Sequence, residues 1–141
     1  MQDKLKTIRQ IARKVRRRCE KYAKRRDNYF NKDLMCMCAI ASFCIHKLLQ
    51  FKGIDSEFVF GKYHGEESRW GSDHCWLEWR GYVIDVTATQ FEHVPKVIVR
   101  RDNENRWCVK RVLDDTYKWR GWDRAQVPCD KTVEAIIGNI R

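Results

Sequence analysis

Nothing in this chain approaches the ~20 consecutive apolar residues that a membrane-spanning helix needs, and no apolar stretch of signal-peptide type follows Met1. These absences argue against a membrane span and set the expectation of a cytoplasmic protein. Proline is scarce, with 2 in 141 residues, and glycine numbers only 7. No repeat or low-complexity linker divides the sequence, so a single domain over residues 1–141 is expected, large enough for one hydrophobic core. Acidic residues run short in one place only. Residues 1–27 hold twelve Lys or Arg against three Asp or Glu, while the remaining 114 hold seventeen against sixteen. The net charge of +10 therefore belongs to one segment. Seven cysteines form an odd set. With no secretory signal, that points to reduced thiols rather than a disulfide framework.

The basic segment is also amphipathic. Leu5, Ile8, Ala12, Val15, Cys19 and Tyr22 recur at spacings of three and four, an apolar stripe along a helix of about residues 3–26. Its other faces carry Arg16-Arg17-Arg18 and Lys24-Arg25-Arg26, which read as a solvated basic back. Such a surface attracts nucleic acid, an anionic membrane or an acidic protein partner, and nothing in its pattern reads bases. Residues 28–32 are a polar break, with Asn31 or Asp33 the expected cap of a second helix. Residues 34–52 are strongly apolar and include small Ala39, Ala41 and Ser42, the pattern of a buried central helix stopped by Gly53. Strands are expected at 56–60, 74–79, 82–86, 97–100 and 107–112, then a short helix over 130–137. That order makes an α+β domain, an antiparallel sheet with its helices on one side.

Three residues in this frame carry chemistry. Cys38 lies at or near the start of the central helix, where the positive end of the helix dipole favours a thiolate. His74 and Asp85 fall on consecutive strands. With Arg80-Gly81 as a two-residue turn, Trp79 faces Tyr82, and counting back makes His74 and Asp85 diagonal neighbours on one face. A thiol, an imidazole and a carboxylate in that order are a nucleophile, its base and the base's orienter. The backbone N–H of Cys38 is placed to donate to an oxyanion. Asn28, Asn31 and Trp76 are candidates for a second donor, and Trp70, Trp76 and residues 62–71 for lining a groove. A metal module built from Cys36, Cys38, Cys44, His46, His74 and Cys75 is the competing reading. C-x-C on a helix is not the knuckle spacing of structural zinc, so no metal or cofactor is expected.

The stretch from Cys38 to Phe91 resembles the core of the transglutaminase-like branch of papain-like cysteine enzymes. In that family the nucleophilic Cys opens a helix ending in Leu-x-x-x-Gly-Ile, which Leu49-Gln-Phe-Lys-Gly53-Ile54 matches. Gly53 falls fifteen residues after Cys38, a spacing that selects Cys38 over Cys36. The family's His, small residue, Trp, apolar residue and Glu correspond to His74-Cys75-Trp76-Leu77-Glu78. Its Asp element corresponds to Asp85-Val86-Thr87, with Val86 in place of the frequent Pro. The resemblance implies a papain-like core and a cysteine-dependent amide hydrolase or acyltransferase, acting on a peptide or protein amide through a thioester. The alternative is a catalytically degenerate binding protein whose basic N-terminal helix engages nucleic acid or an acidic partner.

Overall fold

The computed structural model describes residues 1–25, 33–34, 37–65, 71–113 and 130–140. Helix α1 spans Gln2–Lys24 and buries Leu5, Ile8, Ile11, Ala12, Val15, Cys19 and Ala23. These apolar residues return every three or four positions, so they form one face, and Tyr22 packs at its margin. Arg16 joins that face at 3% exposure, so it is no part of the solvated basic back. Helix α2 spans Cys38–Phe51. It begins four residues later than the apolar pattern suggests. Asp33 and Leu34 have φ of 58° and 56°, a left-handed pair that cannot extend a right-handed helix backwards. Met37 occupies the N-cap without any side-chain cap bond, so Asp33 does not cap the helix, and Asn31 lies outside the described residues. At the other end Gly53 takes φ 71°. The N–H groups of Gly53 and Ile54 donate to the carbonyls of Gln50 (3.0 Å) and Leu49 (2.9 Å), a closure only a residue tolerant of positive φ makes cheaply.

The strands are β1 (Glu57–Tyr63), β2 (Ser72–Trp79), β3 (Tyr82–Asp85), β4 (Ile98–Arg101) and β5 (Trp107–Leu113). They form one antiparallel sheet in the order β4-β3-β2-β1-β5. Helix α3 (Asp130–Ile137) follows. Helix α2 touches β1 and β2 on one side and α1 and α3 on the other. That sandwiched position explains why it is apolar almost all round. The architecture is thus α+β, with a central helix between a sheet and two outer helices. Phe58, Cys75, Leu77, Trp79, Ile84, Val99 and Leu113 face the helices. Val59, Tyr63, Trp76, Val83, Ile98 and Trp107 form a second cluster on the opposite face. Burial on both faces is why β2 lacks a clean apolar–polar alternation.

The sheet is not flat. β4 and β5 are its two edges, yet only residues 102–106 join them. Four strand spacings in a flat sheet would span ~19 Å. The connection is instead folded on Asp102, whose carboxylate accepts the N–H groups of Glu104 (3.3 Å), Arg106 (3.0 Å) and Trp107 (3.0 Å). The Arg100 guanidinium on β4 lies 5.1 Å from the ring centre of Trp107 on β5. The edges therefore approach at this end, and the curled sheet encloses the second cluster. Gly61 marks the bend. Pairing of β1 with β5 shifts between Phe60 and Gly61. A Cβ on Gly61 would lie 2.0 Å from the Cys108 carbonyl oxygen and 2.7 Å from the Trp76 indole. Among the described residues, no helix is long and apolar enough to cross a membrane.

Candidate active site

The β2–β3 hairpin turns through Arg80 (φ 46°) and Gly81 (φ 83°), a pair of left-handed residues matching the twist of the flanking strands. Its register is Trp79 with Tyr82, Glu78 with Val83 and Leu77 with Ile84. Continuing that alternation puts His74 and Asp85 on the inner face, and His74 Nε2 lies 2.7 Å from Asp85 Oδ2. Asp85 is heavily supported. Oδ2 also accepts the Trp107 indole N–H (2.9 Å), and Oδ1 accepts the Thr87 N–H (2.9 Å) and hydroxyl (3.3 Å). Burial works against its charge, but the His74 cation and the bonds from His74, Trp107 and Thr87 outweigh it and hold the carboxyl below its ordinary value. The threonine two places after the aspartate thus serves the carboxylate directly.

His74 is 1% exposed and boxed by aromatic rings. Trp76 stacks at 5.8 Å, while Tyr63 and Phe91 meet it edge-on at 5.9 Å and 4.9 Å between ring centres. With Nε2 committed to Asp85, Nδ1 is the nitrogen left for chemistry. Among the described residues Nδ1 has no partner of full hydrogen-bond geometry. His74 and Cys38 are nonetheless close enough neighbours for each to shift the other toward its charged form. Burial disfavours the imidazolium, but the charge and hydrogen bond of Asp85, aided by Cys38, raise the histidine to about 10.

Cys38 is the first residue of α2 and is buried. The first backbone bond of the helix runs from the Ala41 N–H to the Met37 carbonyl (2.9 Å). The amides of Cys38, Ala39 and Ile40 therefore precede the ladder, at the positive end of the dipole. A hydrogen bond from the Cys75 thiol, opposed by burial and joined by the bond and charge of His74, holds the Cys38 thiol down to about 5. Between those two values the pair is a thiolate and an imidazolium. The contrast with other buried thiols is sharp: burial pushes Cys19 up to about 12 and Cys44 well above its ordinary value. Cys75 is raised, because its proton is held in the bond to Cys38.

Trp76, expected as a groove or oxyanion residue, is wholly buried, and its indole N–H donates to Glu78 Oε2 (3.1 Å). It supports the histidine ring instead. Asn28, Asn31, Trp70 and Cys36 lie outside the described residues, and Lys62 and Tyr63 of the expected 62–71 loop belong to β1. His46 bonds Ser56 through Nδ1 (2.8 Å) and Gln50 through Nε2 (3.4 Å), a satisfied core histidine. Among the described residues no three potential ligands converge as a metal site.

Two supporting residues escape sequence reading. Trp107 reaches Asp85 only because the sheet curls, and no local pattern signals it. Arg16 donates through Nη1 to the Val86 carbonyl (2.8 Å) and the Thr89 hydroxyl (2.8 Å), while Thr89 donates to the Asp33 carbonyl (3.2 Å). An arginine on α1 thereby fixes the chain immediately after Asp85. Its signal is positional: Arg16 falls four residues after Ala12 and three before Cys19, within the apolar stripe. No protein-family model, curated protein or solved structure matches the chain.

Proposed function

We propose that the chain is a cysteine-dependent amide hydrolase or acyltransferase of the transglutaminase-like type, with a papain-like core. One observation carries this reading: a buried carboxylate holds Nε2 of a caged histidine, and that histidine and the thiol at a helix start each shift the other toward its charged form. Two features of the resemblance have geometric support, the helix that opens on Cys38 and the hairpin that joins His74 to Asp85.

In this reaction the Cys38 thiolate attacks the amide carbonyl carbon, and the carbonyl oxygen collects charge near the first-turn amides of α2. His74 then gives its Nδ1 proton to the departing amine, leaving a thioester on Cys38. Water, deprotonated by the same nitrogen, hydrolyses the thioester, or a second amine takes the acyl group. Asp85 keeps the ring oriented and stabilises its cationic form throughout. The substrate is a peptide or protein amide, and the cytosol, where thiols stay reduced, is the proposed setting.

The test is acid-quench mass spectrometry after mixing the protein with a panel of peptide amides and activated acyl esters. A thioester adduct confined to the Cys38 peptide, absent in Cys38→Ser, supports the reading. Equal amine release by the wild type and Cys38→Ser, with no adduct, overturns it.

A second reading has its own observation. Lys14, Arg17, Arg18 and Lys21 of α1 line a cleft of about 320 Å³ with Asn139 and Ile140, and Arg18 is steadied there by Asn139 Oδ1 at 2.7 Å. This surface supports the engagement of nucleic acid or an acidic protein, with or without catalysis. Affinity for a polyanion that falls steeply with salt, and is lost when Lys14, Arg17 and Lys21 become Gln, is the expected result. Salt-independent binding would remove this reading.

A further inference from the structure

We propose that the groove between α1 and α3 binds nucleic acid by its phosphate backbone, without reading sequence. This rests on the second reading above and chooses between its two partners. Lys14, Arg18, Lys21 and Arg25 recur along α1 every three or four residues, so they rise along one face, with Arg17 beside them. From Lys14 to Arg25 the row covers ~16 Å of helix. Two clefts follow it. One, of about 140 Å³, lies between Arg18, Lys21 and Arg25 on α1 and Ala135 and Ile136 on α3. The other, of about 320 Å³, continues past Lys14 and Arg17 to Asn139. Arg18 and Lys21 line both, so the clefts run together as one groove. At their junction Asn139 Oδ1 accepts a bond from Arg18 Nη1 at 2.7 Å, which holds the guanidinium in place.

The groove's charge is not answered within the chain. Among the described residues, none of these five cations pairs with a carboxylate, and no Asp or Glu lines either cleft. Glu20, on the same helix, is taken by Arg16 at 3.7 Å and Lys96 at 3.2 Å. Three kinds of anionic surface could meet such a groove, and its chemistry separates them. A bilayer takes the apolar face of an amphipathic helix, but α1 has that face buried in the core from Leu5 to Ala23. A protein partner needs apolar anchors inside a polar rim. The exposed large apolar side chains among the described residues are Met1, Phe51, Val109 and Val112, and none of them lines the groove. Ile136, which does, is 1% exposed. Phosphodiesters need no apolar centre. They are held by cations, best by the planar fork of arginine, and their interfaces are far more positive than those between proteins. Three arginines and two lysines with no acid among them fit that chemistry. Contacts to phosphate carry no sequence information, so binding should be general.

The experiment measures fluorescence anisotropy of the full chain with two labelled single-stranded DNAs of unrelated sequence, and with labelled polyglutamate of matching length, from about 50 to 200 mM salt. Five phosphate contacts predict a log–log salt slope of about −3.5 for a single strand, a ~130-fold loss of affinity over that range. Both sequences should behave alike. Lys14→Gln combined with Lys21→Gln should flatten the slope to about −2, a ~20-fold loss. Lys4→Gln combined with Lys6→Gln removes the same charge outside the groove and should leave the slope at its wild-type value. All four lysines are exposed, so both double variants should keep the wild-type circular dichroism. Equal flattening by the two pairs would reduce the effect to net charge and overturn the groove. Polyglutamate bound as tightly as DNA would overturn the choice of nucleic acid and leave the wider reading of an anion-binding helix standing. Binding of neither polyanion would remove both.

Discussion

Replacing His74 with Gln removes the cation beside Cys38 while keeping a polar side chain of similar reach. Two unit charges ~4 Å apart at an effective dielectric of ~20 interact by about 4 kcal/mol, which is about 3 pKa units. Cys38, held at about 5 in the wild type, should then titrate near ~8 or above. The assay is the rate of mixed-disulfide formation with dithiodipyridine, followed at the Cys38 peptide from acid to alkaline pH. A single rate at neutral pH would mislead. A thiol of pKa ~5 is almost fully ionised at pH 7, against ~9% for one of pKa ~8, but its weaker basicity lowers its nucleophilicity ~16–32-fold. The two effects nearly cancel. At pH 6 the population advantage grows to ~90-fold, and a net gain of ~3–6-fold remains. The midpoint is therefore the diagnostic. A variant with wild-type circular dichroism and melting, whose Cys38 midpoint stays within half a unit of the parent, would show that His74 does not ionise Cys38.

Stability should show a plateau in pH. Cys38, lowered from 9.0 to about 5, gives stability that is fully present above 9.0 and is lost as pH falls through about 5. His74, raised from 6.5 to about 10, gives stability fully present below 6.5 and lost as pH rises through about 10. Their slopes cancel between 6.5 and 9.0, so urea midpoints should be flat there and fall on both sides; a steady slope across that window would contradict the ion pair. Arg16→Met should cost about 2–4 kcal/mol in urea unfolding, since it strips charge-assisted bonds and leaves the Val86 carbonyl unpaired. Exposed Arg17→Met should stay within about 0.5 kcal/mol, and equal losses would deny Arg16 its clamp. Gly61→Ala, driving a methyl to within 2.0 Å of the Cys108 carbonyl oxygen, should lower stability by at least about 2 kcal/mol; a neutral result would mean the β1–β5 bend relaxes freely. Trp107→Phe keeps the ring but removes the 2.9 Å bond to Asp85. It should cost about 1–3 kcal/mol in urea unfolding and shift the Cys38 midpoint upward through a weaker Asp85–His74 pair.

The hairpin was legible because its geometry is arithmetic. A two-residue turn and a side-chain period of two put His74 and Asp85 on one face with no knowledge of the rest of the chain. The family resemblance singled out Cys38 as the residue that opens the helix, whereas apolarity began the helix at Leu34. Only the left-handed backbone at Asp33 and Leu34 separates the two. Arg16 was misread because a charge in a basic run looks solvated, although its position belongs to the buried stripe. Trp107 depends on strand order and sheet curl, which arise from contacts far apart in sequence. Local periodicity holds no record of them.

Among the described residues, the two edge strands of the sheet have a consequence for self-association. β5 exposes Val109, Lys110, Arg111 and Val112 in succession, a run of β-formers whose edge could template another strand. β4, at the other edge, carries Arg100 and Arg101. Any edge-to-edge stacking of two copies sets cation against cation, whichever edges meet. Among the described residues this guard is electrostatic, since the valines beside it are apolar and exposed. Its reach shrinks from ~10 Å at 0.1 M salt to ~3 Å at 1 M. Concentrated salt, or a polyanion laid along the strands, would turn the same edges from mutual repulsion to strand-on-strand growth.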